Sequence, residues 1–336
     1  MNARTHRKTT WRVLVASTLL FTVAGAGQAA EYEMPRTPWG HPDLQGTFTN
    51  GSQTPFERPE ALGDKAFFTE EEIADLVRQK ADAVANAANR APDRTSEGGQ
   101  VGGYNQHWMD PQTNVVGTRR TSLVIDPPNG RVPVRPEAIA DRDSHLSQIG
   151  DHWTHLGPWD RCITRGVPGG FFQSGYNNNY ILMQTPDTVA IHFEMIHNTR
   201  IIPLGERPLL PEDMQLWNGD SRGHWDGDTL VVETRNLSDK GWIASSGFQR
   251  RIRGIAQTRD THVIERFTRL DDDTIDYQVT ITDPAIYTAP WTAQIPLYTQ
   301  PDLVLFEYAC HEGNWAVHNT LSGGRADDRE TGASGD

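Results

Sequence analysis

Cysteine is almost absent: the chain of 336 residues has two, Cys162 and Cys310. That excludes a disulfide-dense scaffold and any CxxC redox or zinc motif. No phosphate-loop sequence, no dinucleotide glycine fingerprint and no His-Glu-x-x-His occurs. These absences argue against nucleotide and zincin chemistry. The twelve histidines show no metal-ligand spacing, so neither a cofactor nor a metal is expected. There is no internal repeat, and no apolar run follows the N-terminal one.

What is present begins with that N-terminal run. Arg4, Arg7, Lys8 and Arg12 precede an uncharged stretch from Val13 to Ala26, and Gly27-Gln28-Ala29-Ala30 supplies small residues before Glu31. This is the pattern of a cleavable secretory signal, with cleavage expected after Ala29 or Ala30. The stretch is shorter than the roughly 20 residues that cross a bilayer, and it carries no lipobox cysteine. The expected destination is the periplasm or the medium. Without the four basic signal residues, 27 Lys and Arg stand against 44 Asp and Glu, a net charge of −17. Such a surface repels phosphate backbones and anionic lipid, so neither nucleic acid nor membrane is expected as a partner. In an oxidising compartment an even cysteine pair favours a disulfide. Two free thiols or a nucleophilic cysteine remain the alternatives.

Thr69 followed by Glu72 marks a helix start, and Ile73, Leu76, Val77 and Ala81 carry the helix to about residue 88. It is the one long helical pattern read from the sequence. Residues 90–115 and 131–175 read as loop. Strands are expected at Leu44–Asn50, Thr121–Asp126, Tyr180–Gln184 and Val189–Pro203. The Asp226-Gly227 turn joins Arg222–Trp225 to Thr229–Thr234. Ile255–Arg259, Thr261–Arg269, Thr274–Thr282, Trp291–Leu297 and Leu303–Tyr308 complete the set, and residues after Gly323 read as a disordered tail. Strands joined by short turns predict a mainly β, antiparallel barrel or sandwich, with a lipocalin-like barrel preferred. The expected organisation is a signal over 1–30, an N-terminal extension over 31–115, the β-domain over 116–322 and a tail over 323–336.

Four clusters could carry chemistry. Trp159, Asp160 and Arg161 precede Cys162; Tyr176, Asn178 and Tyr180 lie in an Asn-rich run. If residues 192–200 form one strand, His192, Glu194, Asn198 and Arg200 share a face. Asp220 and Arg222 enter the Asp-Gly hairpin and could form a base with its electrostatic partner. The fourth cluster is Cys310-His311-Glu312, whose neighbours would face apart on a strand. Each has a plainer reading: Asn turns, surface charges or a structural ion pair. His197 and the loop tryptophans Trp108, Trp159 and Trp217 are candidate ligand contacts, because flat rings stack on aromatic or sugar ligands.

The segments HPDLQG (41–46), GPWDRC (157–162), YNNNYILMQTP (176–186), EMIHNTRIIPL (194–204), GDSRGHWDGDTLVVET (219–234) and EYACHEGN (307–314) resemble a large family of exported bacterial proteins. That family resembles the arylglycerol β-aryl ether-cleaving enzymes that act on lignin-derived dimers without a cofactor. The resemblance implies a small aromatic substrate and release of an epoxide and a phenol. Candidate bases are Asp220 and Glu194; candidate donors to the leaving oxygen are Arg200, Arg222, Tyr176 and Tyr180. Trp159, Asp160, Arg161, Asn178, His197 and Trp217 are the substrate-contact candidates. The alternatives are an exported binding protein for aromatic or sugar ligands, and a polysaccharide lyase or glycosidase with two facing carboxylates. A homo- or hetero-dimer is left open.

Overall fold

The computed structural model describes residues 32–89, 109–110 and 115–332. Chain contacts separate Met1–Glu33 from a unit that starts at Met34, and the second unit is the one described below. The expected signal over 1–30 and Trp108 lie outside the described residues.

The second unit is mainly antiparallel β. Its strands are β1 (Gly46–Thr49), β2 (Val124–Asp126), β3 (Asn179–Gln184), β4 (Thr188–Phe193), β5 (Thr199–Pro203), β6 (Asp220–Asp226), β7 (Thr229–Arg235), β8 (His262–Arg269), β9 (Thr274–Thr282) and β10 (Trp291–Thr299). Their order is β5-β4-β3-β1-β10-β9-β8-β7-β6, with β2 pairing β10 beside β1. Nine strands follow one another antiparallel, so the two ends of the path run the same way. An odd-numbered sheet can close only through a parallel contact, and that is what occurs: Leu204 bridges Gly223 in parallel. A Cβ on Gly223 would sit 2.7 Å from Leu204 and 3.1 Å from Ile202, so glycine lets the seam come together. The result is a nearly closed barrel.

Alternation along the strands explains why it closes. In β9, Ile275, Tyr277, Val279 and Ile281 are buried, and the residues between them are not. β4, β8 and β10 alternate in the same way. Phe48, Tyr180, Leu182, Ile191, Phe267 and Leu297 fill the interior with the β9 side chains. The interior is therefore filled by side chains.

One polar cluster sits inside. Arg200 on β5 donates to Glu265 on β8 through two nitrogens, at 2.9 and 2.5 Å. It also donates to Ser221 on β6 and, at 2.7 Å, to Thr234 on β7. Tyr277 on β9 donates to Glu265 at 2.9 Å. Five strands on both sides of the seam are therefore joined by hydrogen-bonded side chains.

Helix α1 (Glu70–Asn89) starts as predicted. The Glu72 carboxylate accepts the Thr69 amide at 2.8 Å, and the Thr69 hydroxyl accepts the Glu72 amide at 3.2 Å. Two further helices correct the sequence reading. Helix α2 (Pro136–Ser147) lies in the stretch read as irregular, and α3 (Ala316–Thr331) runs from the end of the expected β-domain into the expected disordered tail. Both are polar, and α2 buries only Ala138, so neither shows an apolar stripe in sequence. Three expected strands also need correction. Val189–Pro203 is two strands, broken at Glu194–Asn198, where Ile196 and His197 take positive φ. Ile255–Arg259 makes only one bridge, between Ala256 and Trp242. Leu303–Tyr308 has no ladder partner, nor is His311-Glu312 on a strand. No helix among the described residues is long and apolar enough to cross a membrane.

Candidate functional site

Long connections gather at the barrel end where β4, β7 and β9 finish. The connection before β3 makes a tight turn at Gly169–Phe171 and drives Phe171 into the barrel mouth. Its ring lies 4.4 Å from Tyr277 and 5.0 Å from both Tyr180 and Phe193, centroid to centroid. The Phe171 carbonyl accepts from the Asn50 side-chain amide. Beside these connections lies a cleft lined by loops, by the short turns at Glu60–Leu62 and Gly247–Ile252, and by Lys80 of α1.

The cleft has a volume of about 990 Å3. Its apolar wall is made by Phe56, Met109, Trp159, Tyr176 and Phe248. The rings of Trp159 and Tyr176 are 6.2 Å apart and tilted by 45°. Behind Trp159 lies Arg165, 4% exposed, with its guanidinium 5.3 Å from the Trp159 ring and a donor to the Phe172 carbonyl. Burial lowers the Arg165 pKa to about 10, and the nearby Tyr176 and Tyr308 hydroxyls partly offset this. Arg165 thus braces the aromatic wall through a desolvated cation–π contact. Asp110, next to Met109 in the chain, lies beside the cleft: its backbone amide donates to the Gly175 carbonyl, and its carboxylate accepts the Asn178 side chain at 2.6 Å. Burial raises the Asp110 pKa, against the hydrogen bonds from Asn178.

Of the residues chosen from sequence, Trp159 and Tyr176 meet on this cleft. The others are distributed elsewhere. Arg200 lies inside the barrel with all its nearby acceptors engaged. Tyr180 is core, 1% exposed, and burial raises its pKa. Glu194 caps the end of β4, accepting from Asn179 at 2.8 Å and from the Phe306 amide at 3.2 Å. Because the strand breaks there, Glu194 does not share a strand face with Arg200, which corrects the expected constellation. His192, the fourth residue of that face with Asn198, bonds Thr199 instead. Asp220 and Arg222 form an ion pair on the outer side of β6. Asp220 accepts the Leu210 amide at 2.8 Å and Arg222 donates to the Pro208 carbonyl at 2.9 Å, so the pair pins the connection that crosses the barrel wall. Arg161 lies between Trp153 and Trp217, 5.4 and 5.9 Å from their centroids. Asn178 holds Asp110 and Ser174, and His197 bonds the Tyr308 carbonyl at 2.7 Å.

Gly219-Asp220-Ser221-Arg222-Gly223 spells Gly-x-Ser-x-Gly, which corrects the expectation from sequence that no such elbow pattern is present. A nucleophile elbow requires a strand–turn–helix with an exposed hydroxyl. Ser221 is 5% exposed on a barrel strand, bonded to Arg200 and Thr234, so the pattern is not an elbow here.

Asp160 sits at the rim of the loop cluster, its carboxylate accepting the Gly157 amide at 3.2 Å. Burial raises its pKa, while Arg253, the Gly157 amide and Arg161 pull it down. The unfolded chain therefore gives up this proton first as pH rises, and the folded chain binds more protons across the window. Stability falls as pH rises through that window. Asp160→Asn removes the charge and keeps an acceptor. It is expected to melt at or above the wild-type temperature at pH 7 and to flatten the decline between about pH 4 and 7. Thermal melts across that range test it; a variant several degrees less stable at pH 7 contradicts it.

Sequence reasoning missed Met109 and the Phe248–Arg251 segment, which line the cleft, and Arg165 and Asp110 beside it. The Phe248–Arg251 segment carried a usable signal: two adjacent arginines after Gly-Phe in a strongly acidic chain. No family model matches the chain, and no curated protein and no solved structure matches it.

Proposed function

We propose that the protein binds a small aromatic molecule in the loop-end cleft. The observation that carries this is the wall where Trp159 and Tyr176 face the same space as Phe56 and Phe248, with Arg165 bracing it from behind. Ligand sites are commonly concave, mostly apolar and edged by a few polar groups. Export belongs to the same reading, because lignin-derived aromatics are met outside the cytoplasm and the Cys162–Cys310 disulfide suits an oxidising compartment. Titration with 4-hydroxy-3-methoxyphenyl compounds, followed by tryptophan fluorescence, tests the reading. Saturable binding that weakens about ten-fold or more in Trp159→Ala is expected, as for loss of a stacking ring. Unchanged binding in that variant overturns it.

A second reading, β-aryl ether cleavage, takes Asp110, the chain neighbour of Met109 in the cleft wall, as the base. A carboxyl whose pKa is raised by burial is a stronger base once ionised. It would take the proton of the substrate hydroxyl. The alkoxide oxygen would then bond to the neighbouring carbon as the bond from that carbon to the aryloxy oxygen breaks, and the departing aryloxide would take a proton from the Asp110 carboxyl or water to become a phenol. The internal nucleophile gives a high effective molarity. Incubation with a racemic model dimer separates the two readings: a receptor returns it intact, and an enzyme yields epoxide and phenol. If it is an enzyme, Asp110→Asn is expected to lose about 10²–10⁴-fold in kcat and to keep binding.

A further inference from the structure

We infer that the cleft selects aromatic compounds that carry an anionic substituent, and that Arg250 reads the anion. This rests on the reading of the cleft as an aromatic-ligand site.

The first observation is a reversal of charge. The chain as a whole carries a formal net charge of −13. The cleft is lined by Arg58, Lys80, Arg131, Arg250 and Arg251 against two carboxylates, Glu57 and Glu60. Both carboxylates are neutralised locally, Glu57 by Arg251 at 2.5 Å and Glu60 by Arg131 at 2.9 Å. Three cations remain. Arg58 is 4% exposed and donates to the Thr121 hydroxyl at 2.9 Å. Lys80 comes from α1. Arg250 is exposed and its side chain has no partner among the described residues. At physiological salt the screening length is about 8 Å, so a ligand inside the cleft feels these cations more than the acidic surface around them.

The second observation is independent of charge. Arg250 has φ 42° and ψ −104°, in the left-handed half of the map that favours glycine. A non-glycine residue held there costs on the order of 1–3 kcal/mol, and such strain gathers at ligand sites. Its neighbours enforce it. Ser246 and Gln249 form a capping box, and the Gln249 side chain donates to the Gln173 carbonyl at 2.6 Å. Arg251 is anchored to Glu57 and to the Val132 carbonyl at 2.6 Å. With both flanking side chains tied inward, the side chain between them is left in the cleft, where glycine would be easier on the backbone. A guanidinium pairs with a carboxylate through two parallel hydrogen bonds, and the aromatic wall is available to the ring of the same ligand.

The test compares three probes on the purified protein: 4-hydroxy-3-methoxybenzoate, the corresponding neutral benzyl alcohol, and cyclohexanecarboxylate. Wild type is expected to bind the benzoate on the order of ten- to a hundred-fold more tightly than the alcohol, the scale of a charged hydrogen bond. Arg250→Gln should abolish that preference by weakening the benzoate alone. Arg250→Gly should do the same and melt at a higher temperature, because it relieves the backbone; that outcome separates loss of the cation from loss of fold. Equal binding of benzoate and alcohol by wild type, or a preference that survives both substitutions, overturns the assignment of Arg250. Failure of both aromatic probes to bind folded protein overturns the aromatic site itself. Cyclohexanecarboxylate binding as tightly as the benzoate removes the aromatic requirement and leaves Arg250 as an anion contact.

Discussion

Glu265→Ala is expected to cost about 3–5 kcal/mol of folding stability, the cost of removing one partner from a buried ion pair. Whole domains are stable by about 5–15 kcal/mol, so the variant should sit near the edge of folding at 37 °C. Glu265 is wholly buried and receives two nitrogens of Arg200 and the Tyr277 hydroxyl. Its loss leaves a guanidinium and a phenol without their acceptor in a dry interior. The position matters because the seam has little else. Between β5 and β6 the backbone contact is the Leu204–Gly223 bridge, so side chains crossing from Arg200 to Ser221, Thr234 and Glu265 do much of the closing. Arg200→Met with Glu265→Leu removes both charges together and should recover most of the loss, since no uncompensated ion remains. Urea unfolding with the disulfide intact measures both. A single variant within about 1 kcal/mol of wild type, on the scale of an ordinary surface change, would mean the cluster does not hold the seam.

Much of the barrel was legible because its strands obey a period of two. Thr261–Arg269 and Thr274–Thr282 were expected, and His262–Arg269 and Thr274–Thr282 are found. The Asp226-Gly227 turn joins β6 to β7, with Gly227 at φ 59°. The break in 194–198 was not legible, because Glu-Met-Ile-His-Asn contains neither Gly nor Pro. The β-branched Ile196 is held at φ 63° by tertiary contacts, among them Glu194 to Asn179 and to the Phe306 amide. The candidate site was half legible for a related reason. Trp159 and Tyr176 could be picked as rings in polar loops. Arg165, Asp110 and Arg250 owe their character to burial or backbone strain, which no local pattern records. Asp220 and Arg222 looked catalytic from their spacing; their partners, Leu210 and Pro208, are backbone groups brought there by the crossing connection.

Reduction of the Cys162–Cys310 bridge is expected to lower folding stability by about 2–4 kcal/mol and to release the C-terminal segment. The bridge spans 148 residues and encloses β3 through β10. On the chain-entropy model a loop of that size is worth about 5 kcal/mol, provided the folded state does not change when the bond opens. Here the folded state should change. Between Gln300 and Trp315 the long-range hydrogen bonds include Phe306 to Glu194, Tyr308 to His197 and Asn314 to Asp160. Each contributes about 0.5–1.5 kcal/mol net, whereas ordering each residue costs about 1–2 kcal/mol. Val304 and Phe306 are 71% and 75% exposed, so apolar burial supplies little to make up the difference. The segment should therefore detach once the bond opens, and the entropy it regains offsets part of the loss. Hydrogen exchange on oxidised and reduced protein, and on Cys162→Ser with Cys310→Ser, reads both effects. Protection should vanish around Phe306 and Asn314 while β8 to β10 stay protected, and the urea midpoint should fall. An unchanged midpoint with a protected tail would show that the segment docks without its covalent tie. Glu194 loses its Phe306 donor on detachment, and Cys162 follows Trp159 by only three residues, so the same reduction should shift Trp159 fluorescence at the cleft.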